Sequence, residues 1–176
     1  MRLPVIAAPL LALLAVPASG QALKGHNSNA PVDVAADRIE VQDRADRAIF
    51  SGNVQVRQAG LSLSAPRLTV AYSTAGGGTD IERLDATGGV LVKSATETAR
   101  GNVAIYDLPR RIITMLGGVE LTKGGSNVRG GRLVIDLNSG RAVVDGSAVS
   151  GSSPGVEGAA GGRVTGRFTV KSNPGQ

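Results

Sequence analysis

The stretch FSGNVQV, Phe50 to Val56, decides the fold. It returns as ATGGVLV, Ala86 to Val92, and again as LGGVELT, Leu116 to Thr122. Each copy places a glycine two residues before a valine: Gly52 before Val54, Gly88 before Val90, Gly117 before Val119. In the first copy Phe50, Val54 and Val56 share one face, and Asn53, Gln55 and Arg57 share the other. A period of two is the mark of a half-buried strand.

The same alternation runs outward from these copies. Ile39 and Val41 precede the first one, in VAADRIEV. Between copies it groups Leu61, Leu63, Leu68 and Val70, then Leu84, Val90 and Val92, then Val103 and Ile105. Ile113, Met115, Val119 and Leu121 follow, and then Leu133 and Ile135. Turn signals separate the runs: QAG at Gln58, STAGGGTD at Ser73, DLPRR at Asp107, KGGSN at Lys123 and LNSG at Leu137. Each copy has a second strand, read as APRLTV, ARGNVAI and RGGRLVI. Val54 to Leu68 is 14 residues, Val90 to Val103 is 13, and Val119 to Leu133 is 14. The copies themselves recur every 29 to 36 residues, which implies stacked units that cannot bury a face alone. ADRIEV and RAVVDGSAV read as half units capping the series. The repeat glycines read as bend points of a rolled sheet. A phosphate cradle is excluded, since no GxxxxGK[ST] pattern is present and no helix follows them. The expectation is an all-β fold of roughly ten strands rolled into a jelly roll.

Composition narrows the function. Aromatics are 2% of 176 residues, so the core must be aliphatic, and the 25 glycines suit many turns. There is no Cys and one His, His26, which excludes disulfides, thiolate metal sites and multi-histidine clusters. Asp80, Glu82 and Asp85 are close in sequence but read as a solvated strand edge, not as a positioned carboxylate pair. Ser51, Ser62 and Ser64 have no base nearby, His26 reads as a loop histidine, and Tyr72 and Tyr106 read as rim packing. No enzyme signature, metal or cofactor is expected. Nucleic acid is excluded as a partner, because the cationic residues are scattered and stacking aromatics are nearly absent. The formal charge of +5 has two readings, a solvated surface or attraction to an anionic partner such as a phosphorylated lipid.

Residues 1–22, MRLPVIAAPLLALLAVPASGQA, read as a secretory signal peptide cleaved after Ala22. The apolar run from Val5 to Val16 is about 12 residues, against roughly 20 needed to span a bilayer. Cleavage would remove Arg2, taking the formal charge to +4. The expected domain runs over 32–149. A Gly-rich tail follows over 150–176, in which RVTGRFTV is either a final short strand or a basic extension. Whether the rolled interior is a packed core or a groove lined by branched aliphatics stays open on composition alone.

ADRIEV (Ala36–Val41), FSGNVQVRQAGLSLSAPRLTV (Phe50–Val70), ARGNVAIYDLPRRIITMLGGVELTKGGSNVRGGRLVIDL (Ala99–Leu137) and the weaker RAVVDG together resemble the OstA-like family of periplasmic lipopolysaccharide transport proteins. The resemblance covers about Val32 to Gly146. It implies an antiparallel, twisted β-jelly-roll open at both ends and built from repeated strand pairs. It implies a periplasmic bridge that carries lipopolysaccharide, or a related glycolipid, from inner to outer membrane with its lipid A acyl chains shielded in an apolar groove. The groove residues would be Ile39, Val41, Phe50, Val54, Val56, Leu61, Leu63, Leu68, Val70, Val90, Val92, Val103, Ile105, Ile113, Met115, Val119, Leu121, Leu133 and Ile135. Val32–Val41 would face an LptC-like inner-membrane protein, and Arg132–Val144 an LptD-like outer-membrane protein, with end-to-end self-association between copies. A leader that is cleaved, and no large barrel, would mark the free-standing member of such a family. The tail after Ser150 has no counterpart in the family pattern. The alternative is an exported β-module that self-assembles through edge strands without lipid.

Overall fold

A computed structural model describes residues 26–146 and 163–169; the leader at 1–22 and most of the tail lie outside the described residues. Among the described residues ten strands follow in chain order: β1 (Asp33–Ala35), β2 (Arg38–Gln42), β3 (Arg47–Gln58), β4 (Leu61–Ser73), β5 (Asp80–Lys93), β6 (Glu97–Asp107), β7 (Ile112–Lys123), β8 (Ser126–Asp136), β9 (Arg141–Asp145) and β10 (Thr165–Arg167). All pair antiparallel in one sheet. The six long strands β3 to β8 are consecutive neighbours. The fold is therefore the all-β roll that the alternation predicts, antiparallel and open as the family resemblance implies.

The bend comes from the repeat glycines. In β3, β5 and β7 two successive residues have left-handed backbone: Gly52 and Asn53 (φ 78° and 47°), Gly88 and Gly89 (both 94°), Gly117 and Gly118 (79° and 58°). At each place the register with the neighbouring strands slips, at Ser51/Val54, Thr87/Val90 and Leu116/Val119. Such a bulge bends the strand and raises its twist. The first residue of each pair is also crowded by a neighbouring side chain. A Cβ on Gly117 would lie 2.8 Å from Asn102 Nδ2, and one on Gly88 would lie 3.1 Å from Pro66. On Gly52 it would strike the Asp37 side chain. The second position is open, with nothing within 4 Å of a Cβ on Gly89 or Gly118, and in the first copy Asn53 occupies it.

The aligned bulges divide the sheet into two halves that fold against each other. An upper half holds β2, β9 and the β3 to β8 segments near Phe50, Leu68, Ala86, Ala104, Met115 and Leu133. A lower half holds β1, β10 and the segments near Val56, Leu63, Val92, Ala99, Leu121 and Val128. Their facing surfaces form one aliphatic core from Val54 to Leu137. Fully burying each of these side chains contributes about 1.5–3 kcal/mol before entropy is subtracted. Each edge of the sheet is covered by two short strands, one per half. β1 and β2 lie along β3, and β10 and β9 lie along β8. At the first edge the corner is fixed by Asp37 N donating to Gly52 O (2.9 Å) and Asn53 Nδ2 donating to Asp37 Oδ2 (2.8 Å).

The two positions of the bulge predict unequal tolerance. Gly118→Asn reproduces the residue that the first copy carries and should change stability in urea by under about 1 kcal/mol. Gly117→Ala meets both the strained backbone and Asn102, and should lose about 2 kcal/mol or more. Equal losses would contradict the steric role assigned to the first glycine.

Candidate functional site

One row of inward residues crosses the whole upper half. The registers join Ile39 to Phe50, Leu68, Ala86, Ala104, Met115, Leu133 and finally Val144, strand by strand. Eight strands at about 4.8 Å spacing make an apolar strip roughly 34 Å long. Its middle is closed: Leu68, Ala86, Ala104, Met115 and Leu133 are all buried. Its ends are not. Ile39 and Val41 share the face of Phe50 and Ala48, yet remain 55% and 57% exposed, with no other described strand over them.

The two halves are offset where they meet. Gln58, at the lower end of β3, accepts a hydrogen bond from Tyr106 OH (3.0 Å) on the upper part of β6, three strands away. Around them, Val56, Leu61, Leu63, Leu84, Val92 and Ile113 leave a cavity of only about 20 Å³. That is room for about one water molecule and not for a ligand. Gln58 Nε2 donates to Ser28 O and Ala30 O (both 3.0 Å), and His26 Nε2 lies 3.1 Å from Gln58 Oε1. Arg111 Nη2 reaches Asn29 Oδ1 (2.9 Å). The segment before β1 is thus tied across this side of the roll by a polar cluster. Burial raises the Tyr106 hydroxyl above its ordinary pKa, so it stays a neutral donor.

At the other end the inner face opens into a cleft of about 470 Å³. Leu121, Val128, Ala142, Val144, Val164 and Phe168 line it, together with Glu97 and Lys123. Glu97 is buried and faces inward; Lys123 Nζ lies 2.6 Å from its Oε1 and meets the charge that burial would otherwise leave uncompensated. No group of three or more His, Cys, Asp or Glu side chains that could hold a metal occurs among the described residues. Asp85, singled out in the sequence, is paired with Arg83 at 2.8 Å on the surface.

Most of the sequence-predicted inward set lies on the inner face. Val54, Val56, Leu61, Leu63, Leu68, Val70, Val90, Val92, Ile113, Met115, Val119, Leu133 and Ile135 are buried there, and Phe50 and Leu121 pack partly against them. Val103 and Ile105 do not belong to it. They face outward, Ile105 between Asp85 and Thr114, Val103 between Thr87 and Leu116. Ala104 and Tyr106 take the inner positions, 1% and 4% exposed. The cause is the bulge. Opposite each double left-handed step, the partner strand turns two consecutive residues outward. In β4 these are Pro66 and Arg67, between buried Ala65 and Leu68; in β6 they are Asn102 and Val103, between Gly101 and Ala104. The sequence held the signal. Measured to Ala104, the middle spacing becomes 14 residues like the other two. The cleft residues Val128, Ala142 and Val144 also went unread, because short or glycine-broken runs show little alternation.

Residues 33–141 match the family described as LptA/(LptD N-terminal domain) LPS transport protein. The chain belongs to this family. LptA/LptD-type domains of this kind are transport modules and not an enzyme family. A relative from Rhizobium meliloti (strain 1021), named uncharacterized protein R00383, is 30% identical over 125 residues, covering 68% of this chain and 67% of that protein. Among solved structures, the chain is similar to LptH from Pseudomonas aeruginosa, described as the LptA homologous periplasmic component of the conserved lipopolysaccharide transport device. The two superpose with a TM-score of 0.67 at 17% identity, over 86% of this chain and 99% of that one, a likeness of fold. The open LptA-type roll is thus shared although few residues are.

The corrected strand phase is directly testable. Ala104→Asp puts an unpaired carboxylate into the packed row and should cost several kcal/mol or prevent folding. Ile105→Asp, one residue on, should fold with a loss under about 1 kcal/mol by urea denaturation. The reverse ranking would restore the simple alternation.

Proposed function

We propose that this LptA-type chain is a periplasmic bridge that shields the acyl chains of lipopolysaccharide along its inner face. The observation that carries the reading is that the apolar strip reaches both edges of the sheet and is uncovered at both. A solid-cored domain gains nothing from leaving Ile39 and Val41 in water at one end and a 470 Å³ apolar cleft at the other. A continuation beyond each edge would cover them. Acyl chains moving on such a face avoid contact with water, while phosphates and sugars stay solvated.

The edges suggest the partners. β1 and β2 present an outer backbone edge at the N-terminal end, and β9 with the lower part of β8 forms one at the C-terminal end, each a template for another strand. The two edges differ, so a contact that joins one to the other links copies head to tail. In this reading an LptC-like protein adds at the first edge and an LptD-like protein at the second, with further copies between. The leader at 1–22 supplies export to the periplasm.

A second reading, self-assembly without lipid, has one observation in its favour: the 20 Å³ left between Val56 and Tyr106 admits no acyl chain. Passage through the middle therefore requires the halves to part. A photo-crosslinking amino acid separates the readings. Placed at Val144 in the cleft it should yield a lipopolysaccharide adduct in the periplasm, and placed at outward Gln55 it should yield none. An exported, folded protein with no adduct at Val144 would favour the lipid-free module.

A further inference from the structure

We infer that β10 is a tethered competitor for the C-terminal edge, occupying the place where the next molecule's strand would add; this rests on the head-to-tail reading above. The two edges of the sheet are built alike but connected differently. At the first, β1 and β2 are separated by two residues and run on as nearly one strand along β3. At the second, β9 runs along Asp136 to Arg132 of β8 and stops at Asp145. The lower part of β8, Arg129 to Asn127, is instead paired by Thr165–Arg167, a segment that follows β9 after nineteen intervening residues. A direct continuation of β9 would fill that place; a remote segment does.

The remote segment fits the place in its chemistry. Gly166 pairs with Val128 on the inner face, so Val164 and Phe168 point inward and complete the wall of the cleft. Thr165 and Arg167 point outward, beside Arg129 and Asn127. β10 therefore has the amphipathic alternation that any strand added here needs. Its hold is slight. The ladder is three residue pairs long, all three residues are exposed, and Thr169 adds two hydrogen bonds to the β7–β8 turn, at Gly125 O (3.0 Å) and Ser126 Oγ (3.2 Å). Phe168 is still 70% exposed and Val164 44%. A strand so attached covers an aggregation-prone edge in the free chain and yields it to a partner that brings a longer ladder. Because it is tethered, it competes at high effective concentration despite few contacts.

The test uses the full chain, whose lack of cysteine allows one engineered disulfide. Arg129→Cys with Thr165→Cys, which are cross-strand partners, locks β10 in place when oxidised and frees it when reduced. Gly166→Pro, and separately Val164→Ser with Phe168→Ser, should release it. Self-association is read by sedimentation velocity over a concentration series. The expected result is association weakened roughly tenfold or more by the oxidised lock, restored by reduction, and strengthened by both releases. Equal association of all forms, or weaker association on release, would overturn the competition while leaving head-to-tail assembly intact. A lock that links two chains on a non-reducing gel would show β10 exchanged between copies, which also overturns it. If every form, released ones included, stays monomeric throughout, the head-to-tail reading itself fails and takes the inference with it.

Discussion

The double left-handed step in β3, β5 and β7 is the constraint on which the rest of the structure depends. A long antiparallel sheet with one apolar face has to cover that face, and among the described residues no α-helix does so. Three bulges aligned across the sheet let it cover itself. The close approach of Asp37 and Asn102 then excludes a side chain at the first position of the first and third steps, and Pro66 crowds that of the second. The repeated FSGNV-like pattern is therefore a record of the fold line, and it needs no chemistry of its own. The same step turns two residues outward on each partner strand, which shifts the phase of every long even-numbered strand.

Folding along a line also decides where the ends lie. The facing halves are offset, as the Gln58–Tyr106 bond shows, so the covered region is central and the inner face emerges at both edges. The small side chains of Ala86 and Ala104 let the halves approach closely in the middle. The outcome is a closed waist between two apolar mouths. One mouth is β2 alone, and the other is a cleft with a charged pair in its wall. Transport along this face demands that a packed waist open, and the waist is held by dispersion and by the polar cluster on Gln58. Each contact is weak but together they are considerable, so the waist opens only for an occupant that covers the apolar faces it exposes.

Strand number, the antiparallel roll and the bend at glycine were legible in the sequence because period-two alternation and a repeated Gly-x-Val are local signals. Orientation within β6 was not, because a bulge changes phase without changing composition: Val103 and Ile105 are as apolar as any inward pair. Only the broken 14-residue spacing marked them. Ile39 and Val41 were read as inward, and their side chains do share that face, but nothing local says that the opposite half stops short of them. Gln58 gave no warning either, since a glutamine before a turn reads as surface. Its burial depends on His26, Ser28, Ala30 and Tyr106, up to 48 residues away.

The central claim is that the inner face is a lipid path and that its waist opens for passage. The most direct test is a distance between spin labels across the waist, at outward Gln55 on the lower half and outward Thr114 on the upper half, with and without lipopolysaccharide. The chain has no native cysteine to interfere. The account predicts a distance distribution that lengthens when lipid is bound. A distribution unchanged under saturating, demonstrated binding would show that the halves never part, and that the interior is a core and not a path.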